Sequence, residues 1–269
     1  MRRGAAARSC RGSAGEWVDG GERRGPPFAS QASSTWAPPA TSKHAFRLNP
    51  KVLLVYHERL GDIARCLPLA RHFAAQGKDV FFECKPEYHG LFSLVSYAVP
   101  VAPGVPRETF SEVCRLQIWP ERFAHFEARG LNWMDYIYEP WPGCDREIVF
   151  DRHPALARPV PDWVKQACLV FPNGYSQRNA PDPRKTVLLA HGLFPAVPVC
   201  VIGKRDLGCH ELGSIPELTA WIAAAKHVLA VNTAASILCS AVRPSWHHIP
   251  DLDLRHDWTH PRRIVVNRN

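Results

Sequence analysis

Regular apolar spacing begins at Lys51. KVLLVYH (51–57) is a short unbroken apolar run, the pattern of a parallel strand covered on both faces. A Gly-Asp turn at Gly61-Asp62 follows. IARCLPLARHFAAQG (63–77) then places Ile63, Leu67, Ala70, Phe73 and Ala74 at helical spacing, with Gly77 as the stop just past the helix. Pro68 falls inside this pattern and should bend the helix or lie in its first turns. DVFFEC (79–84) predicts the next strand. Strand, helix and strand in about 35 residues make a βαβ unit with a right-handed crossover.

Residues 86–165 are richer in Trp, Tyr and Pro and carry weaker periodicity. The pattern predicts helices near 87–97 and across 118–129, a strand near 98–102 and a further helix around Leu131–Glu139. HPALARPVP (153–161) marks a linker. A second alternation starts at Ala167: a strand at 167–174, a polar loop over 175–185, a helix at 186–194 and a strand at 197–204. A helix at 215–226 follows, with Ser214 as N-cap and Glu217 completing a capping box. A strand at 227–233, a helix at 234–242 and a last strand at 245–250 end the series. Two βαβα series imply an α/β protein of two Rossmann-like domains facing a cleft, at 47–165 and 166–269.

Composition sharpens this picture. Residues 1–46 are rich in Gly, Ala, Ser, Pro and Arg without hydrophobic period, and read as a disordered tail. Six Arg and one Lys against Glu16, Asp19 and Glu22 put +4 of the net +8 into residues 1–45. The +4 left over the folded part does not point to nucleic acid. No apolar run approaches the roughly 20 residues that span a bilayer, so at most peripheral membrane contact is expected. The nine cysteines contain no C-x-x-C pair, and Cys66, Cys84, Cys168, Cys200 and Cys239 fall in apolar segments. That pattern reads as buried free thiols in a reducing cytoplasm.

Ligands of open parallel sheets bind beyond the C-terminal strand ends. Three runs fall there. In the first, Arg59-Leu60-Gly61-Asp62, Asp62 is either a helix cap with Gly61 permitting the turn, or a carboxylate that accepts a proton in the cleft. The second, Tyr175–Lys185, offers Arg178, Arg184 and Lys185 as a solvated loop or as cations for a phosphate group. In the third, Asn232-Thr233-Ala234-Ala235-Ser236, an ordinary N-cap competes with a phosphate-binding helix N-terminus. Its small residues would let a ligand approach the backbone.

The run RLGDIARCLPLAR (59–71) resembles the R-x-G-D motif, with its later Pro, of the heptosyltransferase family (glycosyltransferase family 9). ELGSIPELTAWIAAAKHVLAVNTAASILCSAV (211–242) resembles that family's later signature, a helix opening with E-L, a strand, a D-T-G turn and a helix bearing a His. The resemblance spans roughly 51–100 and 167–250. It implies a GT-B fold, with the acceptor on the first domain and a nucleotide-diphosphate sugar on the second. It also implies inverting transfer of a heptose-like sugar to a saccharide or lipid-linked acceptor, as in lipopolysaccharide biosynthesis, with no cofactor or metal required. By the same resemblance Asp62 is the catalytic base, Arg178 or Lys185 meets the diphosphate, and Thr233 is the Thr of the turn. Arg59, Gly61, Asn232, Ala234 and Ser236 complete the substrate contacts.

The chain departs from the family pattern where Asn232 stands for Asp, Ala234 for Gly and Ile237 for His. An acid that meets the ribose in the family has no clear counterpart, and Asp206 and Glu211 are the candidates to replace it. These departures define a rival reading, a non-catalytic relative that binds a nucleotide sugar or a protein partner. An NAD-type protein is disfavoured because E-R-L-G-D replaces G-x-G-x-x-G after the first strand. His247, His248, Asp251, Asp253, His256, Asp257 and His260 have ligand chemistry but no regular metal spacing. Trp119, Trp133, Tyr136, Tyr138 and Trp141 are either core or the lining of an acceptor groove.

Overall fold

Two wholly parallel sheets form the frame. In the computed structural model, residues 49–153, 158–174, 181–203, 210, 212–250 and 260–266 are described. The first sheet is built from β1 (Lys51–Val55), β2 (Asp79–Glu83), β3 (Val99–Val101) and β4 (Glu112–Arg115), in the order β3-β2-β1-β4. Its central strand, β1, is buried except at Lys51 and pairs Val52 with Val80 on one side and with Glu112 on the other. Continuous burial explains the unbroken apolar run.

α1 (Leu60–Ala75) carries β1 back across the sheet. It ends where expected, with Gly77 at φ 76° and its N–H bonded to the Ala74 carbonyl at 2.9 Å. Pro68 lies in the helix interior rather than its first turns. Residues 86–94, expected as an α-helix, form a 3₁₀ helix. The helix expected at 118–129 begins later, as α2 (Phe123–Arg129), and α3 (Trp133–Tyr138) follows, capped by the Asn132 side chain, which accepts from the Met134 N–H at 3.0 Å. β4 was not anticipated. It is an edge strand whose only buried residue is Cys114, so no hydrophobic alternation marks it.

α4 (Asp162–Gln166) precedes the second sheet, formed by β5 (Cys168–Phe171), β6 (Val199–Val201), β7 (His227–Val231), β8 (Trp246–Ile249) and β9 (Arg263–Val265). The order is β6-β5-β7-β8-β9, so β8 is not the last strand; β9 pairs beside it in parallel. α5 (Pro183–Leu193) starts three residues earlier than the periodicity implied, because Asp182 caps it and Pro183 occupies the first turn. α6 (Ile215–Ala224) and α7 (Ala234–Val242) lie as expected. Ser214 Oγ accepts from the Glu217 N–H at 3.3 Å, while Glu217 reaches back to the Gly213 N–H at 2.8 Å rather than to that of Ser214.

One hydrophobic core runs through both halves, joining Leu54, Leu67 and Phe82 to Ile222, Val228, Leu238 and Trp246, all buried. A smaller cluster of Val170, Leu229, Val231 and Ile249 lies with Ala190 of α5. Each large apolar side chain so buried contributes roughly 1.5–3 kcal/mol. The described cysteines are free and buried. Burial pushes the Cys84 and Cys168 thiols up to about 12, which suits inert core residues. No helix among the described residues is long and apolar enough to cross a membrane.

Candidate functional site

Each sheet reverses its strand order beside its first strand, between β1 and β4 and between β5 and β7. Crevices open at the carboxyl ends of strands at such points. A cleft of about 590 Å³ lies there, lined by residues following β1 (Glu58–Asp62), β4 (Trp119) and β7 (Asn232–Ala234), with Arg65, Lys85, Tyr88, Trp133 and Ile237. It therefore draws on both halves of the chain.

Five of the expected ligand residues meet in this cleft beside Asp62: Arg59, Gly61, Asn232, Thr233 and Ala234. α1 and α7 both begin at it, so two helix N-termini, the positive ends of their dipoles, face one space. Asp62 offsets the first within its own turn, whereas α7 has no acid in its first turn.

Gly61 does not permit a turn; it lies inside α1, and a Cβ placed on it would stand 3.2 Å from the Ala234 Cα. The glycine lets the two helix starts abut. Nor does Asp62 cap α1, since the N-cap position belongs to Arg59 and no side chain caps it. Asp62 instead accepts a hydrogen bond from the Tyr56 hydroxyl at 2.9 Å and pairs with Arg65 at 3.7 Å. Burial, reinforced by the Asp62 charge, pushes the Tyr56 phenol far above its ordinary value, so it remains a donor.

Arg65 escaped the sequence reading and is central to the site. It is 5% exposed, and Nη2 donates to Asn232 Oδ1 at 3.5 Å, joining the halves. Its guanidinium lies 5.4 Å from the Trp133 ring centre, and the Tyr138 hydroxyl donates to its carbonyl at 2.6 Å. The detectable sign was an arginine three residues after Asp62, the one charged residue in the otherwise apolar run Ile63–Ala70. Behind the cleft, buried Glu83 accepts from Arg107 at 2.8 Å and bonds His57 Nε2 at 2.7 Å.

Other expected residues lie elsewhere. Ser236 is 2% exposed and does not line the cleft; its hydroxyl accepts from the Thr233 N–H at 3.2 Å and donates to the Thr233 carbonyl at 2.7 Å. Lys185 is exposed on α5, away from the lining. Arg178, Asp206 and Glu211 lie outside the described residues.

Among the aromatics, Tyr136 and Tyr138 are core and Trp133 is 8% exposed at the cleft wall, whereas Trp119 is 54% exposed at the cleft. Of the His/Asp series, Asp251, Asp253, His256 and Asp257 lie outside the described residues. His247 meets the Phe194 ring and His248 is buried, as alternation along a strand requires. No group of three or more His, Cys, Asp or Glu among the described residues is placed to hold a metal. A second cleft of about 500 Å³, lined by Ile202, Gly203, His210 and Gly213–Ile215, opens between β6 and α6.

No family model matches the sequence, and no curated protein matches it. Solved structures do match in fold. E. coli heptosyltransferase WaaC with ADP has a TM-score of 0.56 at 14% identity, over 80% of this chain and 92% of that one. The dodecameric iron-containing heptosyltransferase TibC, with ADP-D-β-D-heptose, has a TM-score of 0.58 at 14% identity, and this chain spans 64% of it. A family 9 glycosyl transferase of Veillonella parvula has a TM-score of 0.55 at 10% identity, over 81% and 86% of the two chains. This chain therefore has the two-sheet GT-B fold of the heptosyltransferases and of family 9 glycosyltransferases.

Proposed function

We propose that this protein is a cytoplasmic glycosyltransferase that moves a sugar from a nucleotide-diphosphate sugar to a hydroxyl of a saccharide or lipid-linked acceptor. The first half (47–165) takes the acceptor and the second (166–269) the donor. The observation that carries the reading is the cleft itself, where Asp62 and the N-terminus of α7 lie together at the switch points of both sheets. The fold likeness to proteins solved with ADP and ADP-heptose supports the same donor class.

In this reading the acceptor hydroxyl gives its proton to Asp62 as its oxygen bonds to the anomeric carbon. The bond from that carbon to the diphosphate oxygen breaks, and the configuration inverts. A carboxylate has about four lone-pair sites, so the bonds to Tyr56 and Arg65 leave Asp62 able to accept. Arg65, Arg59 and the α7 N-terminus stabilise charge on the departing diphosphate, the largest contribution such a site can make. Arg178 adds to it. Asp62→Asn should leave the fold and donor binding intact and lower turnover by about 10²-fold or more. An unchanged rate removes Asp62 from the mechanism.

A second reading, a relative that binds without catalysing, is favoured by Asn232, Ala234 and Ile237 at the cleft wall. Asn232→Asp combined with Ile237→His separates the two. Activity gained from none identifies a degenerate site.

A further inference from the structure

We infer that Trp119 is the stacking platform for a pyranose ring of the acceptor. The inference rests on the glycosyl-transfer reading and deepens it, because it names the chemical feature of the acceptor that the cleft recognises.

Trp119 lines the same cleft as Asp62 yet is 54% exposed, whereas Trp133 in the same wall is 8% exposed. It follows the carboxyl end of β4, so it belongs to the half assigned to the acceptor. The loop that carries it is braced. Gln117 Nε2 donates to the Trp119 carbonyl at 2.5 Å, the Arg122 N–H donates to the Ile118 carbonyl at 2.7 Å, and Arg122 Nη1 donates to the Arg115 carbonyl at 3.2 Å. Phe123, the first residue of α2, holds the indole in a T-shaped contact at 4.3 Å between ring centres. The ring is thus positioned without being covered.

A large, rigid aromatic surface in a cleft of mixed polarity fits a ligand with an apolar face and a polar rim. A pyranose has both: one face of C–H groups, attracted by the negative face of an aromatic ring, and a rim of hydroxyls. Tyr88 lines the same cleft with its hydroxyl tied to the Glu58 carbonyl at 3.0 Å, and Lys85 supplies donors for the rim.

The test uses the full chain as wild type, Trp119→Ala and Trp119→Phe, each checked for cooperative melting. Probes are methyl β-D-glucopyranoside, methyl β-D-galactopyranoside and methyl α-D-mannopyranoside, with ADP titrated separately. Saturation transfer from protein to ligand reports which sugar protons touch the protein, and titration gives affinities. We expect transfer to the ring C–H protons of at least one pyranoside, affinity about tenfold or more weaker in Trp119→Ala, and substantial recovery in Trp119→Phe. ADP affinity should be the same in all three proteins. Equal pyranoside binding with and without the indole overturns the inference, as does ADP binding with no pyranoside bound. A loss of ADP affinity in Trp119→Ala assigns the ring to the nucleotide instead. Absence of binding by ADP and by every pyranoside overturns this inference, and the transfer reading falls with it if UDP, GDP and CDP also fail to bind.

Discussion

A side chain on Gly61 would meet the backbone of Ala234 at 3.2 Å, tighter than an ordinary methyl contact, so the first turns of α1 and α7 abut closely. The contact brings the R-x-G-D run beside the N-T-A turn from distant parts of the chain. Elsewhere in a helix, Gly→Ala stabilises by about 0.5–1 kcal/mol. Here the neighbour is backbone and cannot rotate away. Gly61→Ala should destabilise by about 1–3 kcal/mol, read as a lower urea midpoint at unchanged slope. A raised midpoint would show that the helices can separate freely.

Arg65 ties the same two halves together through Asn232 and pairs with Asp62 within its own helix. Arg65→Met keeps much of the side-chain volume but removes the charge and its hydrogen bonds. It should cost about 1–3 kcal/mol of stability by stranding partly buried polar partners. Equilibrium urea unfolding reads this, and no change in midpoint would show the network to be incidental. The same variant should weaken ADP binding, because Arg65 lines the cleft.

The amino-terminal ends of β7 and β8 should make stability sensitive to acid. Phe194 stacks on His227 at 4.2 Å between ring centres and meets His247 edge-on at 4.9 Å. Burial lowers the pKa of both imidazoles, and Lys226 and Arg243 lower His227 further, while His227 and Arg243 act on His247. Groups whose folded pKa is depressed bind more protons when unfolded. Their neutral forms leave stability intact above the unfolded value, near 6.5, and stability falls as pH drops through it towards the lower folded values. Urea midpoints should therefore fall between about pH 7.5 and pH 5.5. Replacing both residues (His227→Gln with His247→Gln) should flatten that fall, and an identical pH dependence would place its origin elsewhere.

Much of the frame was readable because burial on both faces writes an unbroken apolar run, as in β1, β5 and β7. β4 and β9 went unseen because edge strands bury little: β9 has no buried residue. The start of α5 was hidden by a polar first turn, although Asp182-Pro183 is an N-cap followed by the residue best suited to the first helical position. Asp62 and the 232–234 turn were legible because a strand end followed by a helix start marks a ligand position whatever the fold's details. Arg65 was not, and Trp119 stood only as one of five aromatics that read as core or as groove lining. Periodicity places a residue on a helix face or near a strand end, but it does not say that another element's end lies opposite. Nor does it separate Trp119 from Tyr138, which is fully buried.

The proposed function requires a nucleotide-diphosphate sugar to bind in the cleft between the two sheets. Thermal melting of the purified protein with ADP-, UDP-, GDP- and CDP-linked sugars tests it most directly, since a ligand that binds only the folded state raises the melting temperature by mass action. We expect a concentration-dependent rise with one donor, reduced in Arg65→Met. A cooperative melt that no donor shifts would contradict it.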